Sequence, residues 1–129
     1  MLDNKKARRR QNSNEAYIDA LQANYSKLCA VRLDLSYKKP YSEEITLEEA
    51  TKDLNRLLNN RRSKPSIFEH NIGYIVKKEY TEDKSIHLHA FFMFDGQKVL
   101  KDAHKADEIG NYFVNDITKG KGTYYNCNR

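Results

Sequence analysis

The sequence predicts an α+β fold, a central antiparallel β-sheet flanked by helices. Three observations predict it. One ten-residue stretch alternates apolar and polar side chains, two further apolar runs stand either side of a short polar turn, and three other stretches repeat their apolar residues at helical spacing. At 129 residues, with 32% charged and 39% hydrophobic, the chain suits one compact domain with a real core.

In chain order, residues 1–12 carry Lys5, Lys6, Arg8, Arg9 and Arg10 against Asp3, which supplies +4 of the net charge of +5. They are expected to form a basic, flexible arm ahead of a single domain over 13–129. Such an arm can hold phosphate backbones without sequence preference, or serve only as a solubilising terminus. Ser13 can cap a helix from about Asn14 to Ser26, with Tyr17, Ile18, Leu21 and Tyr25 along one face.

The first strand follows, with Cys29, Val31, Leu33 and Leu35 facing one way and Ala30, Arg32, Asp34 and Ser36 the other. The stretch K-K-P-Y-S-E-E reads as a loop. Thr46 and Glu49 form a capping box, so a second helix starts there, with a stripe of Leu47, Ala50, Leu54, Leu57 and Leu58, and stops between Asn60 and Ser63, ahead of Pro65.

A second strand is expected over Asn71–Tyr80 and a third over Ser85–Phe94. The turn T-E-D-K-S makes them a hairpin. After Asp95-Gly96, the residues Val99, Leu100, Ala103, Ile109, Tyr112, Phe113 and Ile117 predict a third helix, weakened inside by Gly110, and the tail from Thr118 can turn into another strand.

No apolar run approaches the roughly 20 residues of a membrane helix, and the basic N-terminus is not followed by an apolar segment. A cytoplasmic protein with no membrane partner is the expectation. Cys29 and Cys127 stand in no metal-ligand spacing and are expected as free thiols without a role.

The chemistry concentrates in the hairpin. If Tyr80 lies opposite Ile86, then Glu79 faces His87 and Lys77 faces His89. His87, His89, Phe91 and Met93 then share one side, and Ile86, Leu88, Ala90, Phe92 and Phe94 the other, joined there by Ile72, Tyr74, Val76 and Tyr80. This register puts the Glu79 and His87 Cβ atoms roughly 5 Å apart. Two histidines spaced this way can be ordinary strand residues. With a carboxylate in register, Glu79, His87 and His89 become candidate ligands of one divalent cation, with coordination positions left over for water and a substrate oxygen.

The H-L-H triplet on a core strand, with an acidic residue on the preceding strand, resembles the HUH endonuclease superfamily of rolling-circle replication initiators and relaxases. The segments V-R-L-D-L-S-Y, L-N-N-R-R-S-K, G-Y-I-V-K-K-E-Y, H-L-H-A-F-F-M-F-D-G, I-G-N-Y-F and T-K-G-K-G-T-Y-Y-N-C-N resemble, in that order, the replication proteins of filamentous phages (inoviruses) and their integrated prophage relatives. The resemblance implies a Rep-like fold related to the ferredoxin-like class, with a five-stranded antiparallel sheet. It implies a nuclease that nicks and rejoins single-stranded origin DNA, with Mn²⁺ or Mg²⁺ held by Glu79, His87 and His89, a tyrosine nucleophile, and a host replication helicase as partner. Arg32 on the first strand is a further candidate DNA contact beside the basic arm, or else a partner in an ion pair on its own face.

One departure stands out. No tyrosine after His89 has a lysine three or four residues on, as that family's nucleophile motif requires. Tyr112, Tyr124 and Tyr125 are the remaining candidates. The expectation is therefore a chain truncated at its C-terminus that binds metal and DNA without forming the covalent link, either an enzyme lacking its nucleophile or a non-catalytic origin-binding module.

Overall fold

A computed structural model describes residues 2–83 and 85–129, with residues 2–7 and 10 by their backbone alone. The elements run α1 (Leu2–Asn24), β1 (Leu28–Tyr37), α2 (Tyr41–Glu44), α3 (Leu47–Asn59), α4 (Pro65–Phe68), β2 (Asn71–Thr81), β3 (Ser85–Asp95), α5 (Asp102–Tyr112) and β4 (Gly122–Asn126). A 3₁₀ turn over Asn60–Ser63 joins α3 to α4, and a π-helical turn over Phe113–Ile117 extends α5. The fold is α+β, as expected. Its antiparallel sheet has the order β2-β3-β1-β4, four strands among the described residues where the family resemblance implied five.

The alternation of β1 and β3 makes the core. Val31, Leu33 and Leu35 from β1 and Ile86, Leu88, Ala90, Phe92 and Phe94 from β3 point to one face. There Ala50, Leu54 and Leu57 of α3, Phe68 of α4, Ala106, Ile109 and Tyr112 of α5, and Phe113 and Ile117 of the π turn cover them. Removing this apolar surface from water is the main favourable contribution to the fold. The capping box forms as read. Thr46 Oγ1 accepts from the Glu49 backbone N–H at 3.1 Å, and α3 begins at the next residue, Leu47.

The other face is partly covered, with Met93 buried toward one end and His87 toward the other. Gly73 of β2 pairs with Met93, and a Cβ built on it would come within 2.3 Å of the Tyr17 hydroxyl and 3.0 Å of Leu21. The glycine thus lets α1 lie directly on the strand, on the Met93 side. Beside it the register slips between Asn71 and Gly73. Asn71 Nδ2 closes that bulge by donating to the Gly73 and Met93 carbonyls at 3.0 and 2.9 Å.

Several expectations change. Residues 2–12, read as a flexible arm, are helical and continuous with α1. The stretch has no glycine or proline and is rich in lysine and arginine, both good helix formers, so nothing in it stops the helix before Ser13. Ile72 falls in the bulge rather than on the core face, and Tyr80 projects past the core at 68% exposed. Val99 and Leu100 precede α5 instead of opening it, with Leu100 at the surface. Gly110 is a packing requirement, because a Cβ there would meet the Tyr124 ring at 2.4 Å.

Candidate metal centre

The β2–β3 register pairs Tyr80 with Ile86, Glu79 with His87 and Lys77 with His89, as the apolar pattern predicts. A carboxylate oxygen of Glu79 and one ring nitrogen each of His87 and His89 lie within 4.8 Å of one another. The two imidazoles stand edge to face with ring centroids 4.9 Å apart.

The two histidines are held differently. His87 is only 6% exposed, and its Nδ1 is sealed from solvent with no hydrogen-bond partner. Leaving a buried polar atom unsatisfied costs about 1–3 kcal/mol, and a histidine kept only for packing has no reason to carry that cost. His89 is half-buried and has both nitrogens engaged: Nδ1 lies 2.6 Å from Asp34 Oδ1 and Nε2 lies 2.9 Å from Glu79 Oε2.

Asp34, which the sequence reading left without a role, comes from β1, where it pairs with His89 across the sheet. A carboxylate on the far nitrogen fixes the ring's orientation and tautomer, which is how metal-bound histidines are usually supported. With Asp34 on Nδ1, the Nε2–Glu79 contact marks where a cation would sit. A set of two nitrogens and one oxygen suits several divalent transition metals, and three protein ligands leave room for others. These residues therefore fit a divalent cation.

The rest of this face is open. Arg32, two residues before Asp34, is exposed, and among the described residues no carboxylate pairs with its guanidinium. Together with Asp34, His89, Phe91 and Cys127 it lines a concavity of about 320 Å³. Lys77, across from His89, is exposed as well. Cys127 is a free thiol, and burial and the Asp34 carboxylate push its pKa up, so it stays protonated at neutral pH. Cys29 is also free, and raised by burial and by Asp102.

The three tyrosines separate clearly. Tyr112 is buried, and its hydroxyl accepts from Asn60 Nδ2 at 3.0 Å. Tyr124 packs its ring on Gly110 and donates its hydroxyl to Asp107 at 3.0 Å, and burial and that carboxylate push the phenol up. Tyr125 is 67% exposed and sits opposite Asp34, on the same face as His89. Of the basic residues in α1, Arg8 and Arg9 are exposed, while the side chains of Lys5, Lys6 and Arg10 lie outside the described residues.

Among the described residues no helix is long and apolar enough to cross a membrane. No curated protein and no solved structure matches the chain. The sequence profile of the YagK/YfjJ C-terminal domain matches residues 2–118, a span from the start of α1 to the end of the π turn that takes in Asp34, Glu79, His87 and His89. With nine-tenths of its length inside that match, the chain belongs to the YagK/YfjJ C-terminal domain family.

Proposed function

We propose that this domain nicks and rejoins single-stranded DNA in the manner of an HUH endonuclease, at the initiation of rolling-circle replication of a phage or prophage. One observation carries the reading: Glu79 stands in register with a His-x-His pair on a core strand and contacts His89, while an aspartate supports that histidine from behind. The partly open sheet face with Arg32 and Lys77 beside the triad supports it too, since phosphates need cations and room.

In this reading Glu79, His87 and His89 hold Mn²⁺ or Mg²⁺, which supplies Lewis acidity to a non-bridging oxygen of the scissile phosphate. Asp34 keeps the His89 ring turned with Nε2 toward the site. Arg32 and Lys77 hold neighbouring phosphates, and the basic start of α1 adds affinity without sequence preference. Cleavage forms a bond from a tyrosine oxygen to phosphorus and breaks the bond from phosphorus to the 3′ oxygen. The phenol proton passes to the released 3′-hydroxyl, and the phosphodiester energy is kept in the phosphotyrosine for rejoining.

A second reading is favoured by a specific observation. Tyr112 and Tyr124 have their hydroxyls committed to Asn60 and Asp107, and Tyr125, the remaining candidate, lacks the lysine three or four residues on that the nucleophile motif of the resembled family carries. A domain that binds origin DNA without cutting it, leaving recruitment of a replication helicase as its task, would need no more. Incubation with end-labelled single-stranded origin DNA and Mn²⁺ separates the two. Cleavage or strand transfer that His87→Ala with His89→Ala abolishes supports the nickase. Binding without cleavage assigns the domain to the second reading, and absence of single-strand binding sinks both.

A further inference from the structure

The tip of the β2–β3 hairpin carries a recess on the side away from His87 and His89 that the cleavage chemistry above does not use. Leu47, Lys78, Tyr80 and Ile86 line it with Glu79, around about 430 Å³. That size is within the range of small-ligand pockets, roughly 300–1,000 Å³. Leu47 and Tyr80 are 57% and 68% exposed, although Tyr80 stands on the core-facing side of its strand, opposite Ile86. An exposed aromatic ring and an exposed leucine on the walls of one recess, with an exposed lysine among its lining residues, are the ingredients of a base-stacking platform.

The recess also adjoins the metal side. β2 is an edge strand, so a chain passing over it reaches both faces of the sheet. Glu79 is both a candidate metal ligand and a wall of the recess. Lys77 and Lys78, both exposed, are consecutive and so point to opposite faces. Two lysines on an edge strand discourage pairing with a second copy of that edge, whereas they attract phosphates.

We propose that Tyr80, Leu47 and Ile86 form a base-holding subsite for single-stranded nucleic acid, with Lys78 on the adjoining phosphate, one nucleotide away from the phosphate engaged at Glu79. The subsite rests on reading the metal centre as a phosphodiester site. It holds a nucleotide by stacking, which every base permits, and so contributes affinity and register rather than sequence choice.

The test is fluorescence anisotropy of a labelled oligothymidylate with the full chain, in EDTA and in Mn²⁺, beside metal-dependent thermal shifts. Tyr80→Ala should weaken oligonucleotide binding by about 5- to 150-fold, the range for loss of one stacked base, and Tyr80→Phe should restore it. Lys78→Gln should lower the dependence of log affinity on log salt by somewhat under one unit. The thermal shift with Mn²⁺ should be the same in all three variants. Equal oligonucleotide affinity in the wild type, Tyr80→Ala and Leu47→Glu overturns the subsite, even if metal-dependent cleavage is observed. A wild type that sediments as a dimer and becomes monomeric in Leu47→Glu overturns it as well, the recess then being a contact between copies. Loss of binding in Tyr80→Ala from a protein that takes up no metal keeps the subsite and removes the metal reading.

Discussion

Replacing His87 by phenylalanine should separate the stability of this protein from its response to metal. In the metal-free protein the His87 ring is buried with Nδ1 unsatisfied, which costs about 1–3 kcal/mol. Phenylalanine removes that cost and keeps the edge-to-face contact with His89, while its one extra ring atom costs about 1 kcal/mol of overpacking. The variant in EDTA should therefore melt at the wild-type temperature or a few degrees above, since 1 kcal/mol moves a domain of this size by roughly 3–5 °C. Metal reverses the order. At a Mn²⁺ concentration one hundred times Kd the wild type gains about 2.7 kcal/mol, roughly 10 °C, and the variant, lacking a ligand, should gain little. Differential scanning fluorimetry with EDTA, Mn²⁺ and Zn²⁺ reads both effects. A variant that melts well below the wild type in EDTA would show that the His87 ring is a satisfied structural residue. One that keeps the full metal shift would show that the cation is held elsewhere.

Asp34→Ala should lower metal affinity by about 10- to 100-fold, the usual effect of losing the partner of a metal-bound histidine. Asp34→Asn keeps an acceptor oxygen for Nδ1 and should lose less, both read by calorimetry with Mn²⁺. Any covalent DNA adduct on a denaturing gel should survive Tyr112→Phe and Tyr124→Phe and disappear in Tyr125→Phe, because of these three candidates Tyr125 alone shares the face of His89; an adduct lost in Tyr112→Phe would contradict that placement. Asp107 is held below the usual carboxylate range, first by the Asn126 hydrogen bond and then by Arg129 and Tyr124, against opposing burial. Its contribution to stability is thus present above about pH 4 and lost as pH falls through its lowered value. Acid should loosen β4 from α5 first, and Asp107→Asn should flatten the acid limb of a melting-temperature profile.

The hairpin was legible in the sequence because its information is local. A period of two, a short turn and one apolar face leave a single register that buries Leu88, Ala90 and Phe92 together, and that register sets Glu79 beside His87. The capping box at Thr46 and the alternation of β1 are local in the same way. Asp34 was visible as a polar residue on the correct face of β1, yet nothing near it in sequence says that it meets His89. That contact spans 55 residues and depends on the β1–β3 pairing, which no turn specifies. The start of α1 was misread because a basic, uncapped stretch is compatible with coil or helix, and charge alone does not decide between them. Gly110 reads as a flaw in a helix until β4 returns alongside α5 and sets the Tyr124 ring against it. The same return separates three tyrosines that look equivalent in sequence: strand parity on β4 sends Tyr124 to the core side and Tyr125 to the metal side. The sequence by itself determined the fold class and the three candidate ligands, since periodicity and one short turn suffice for both. Tertiary structure alone decided which carboxylate supports His89 and which tyrosine faces the metal side, because both follow from pairings between strands that no local signal connects.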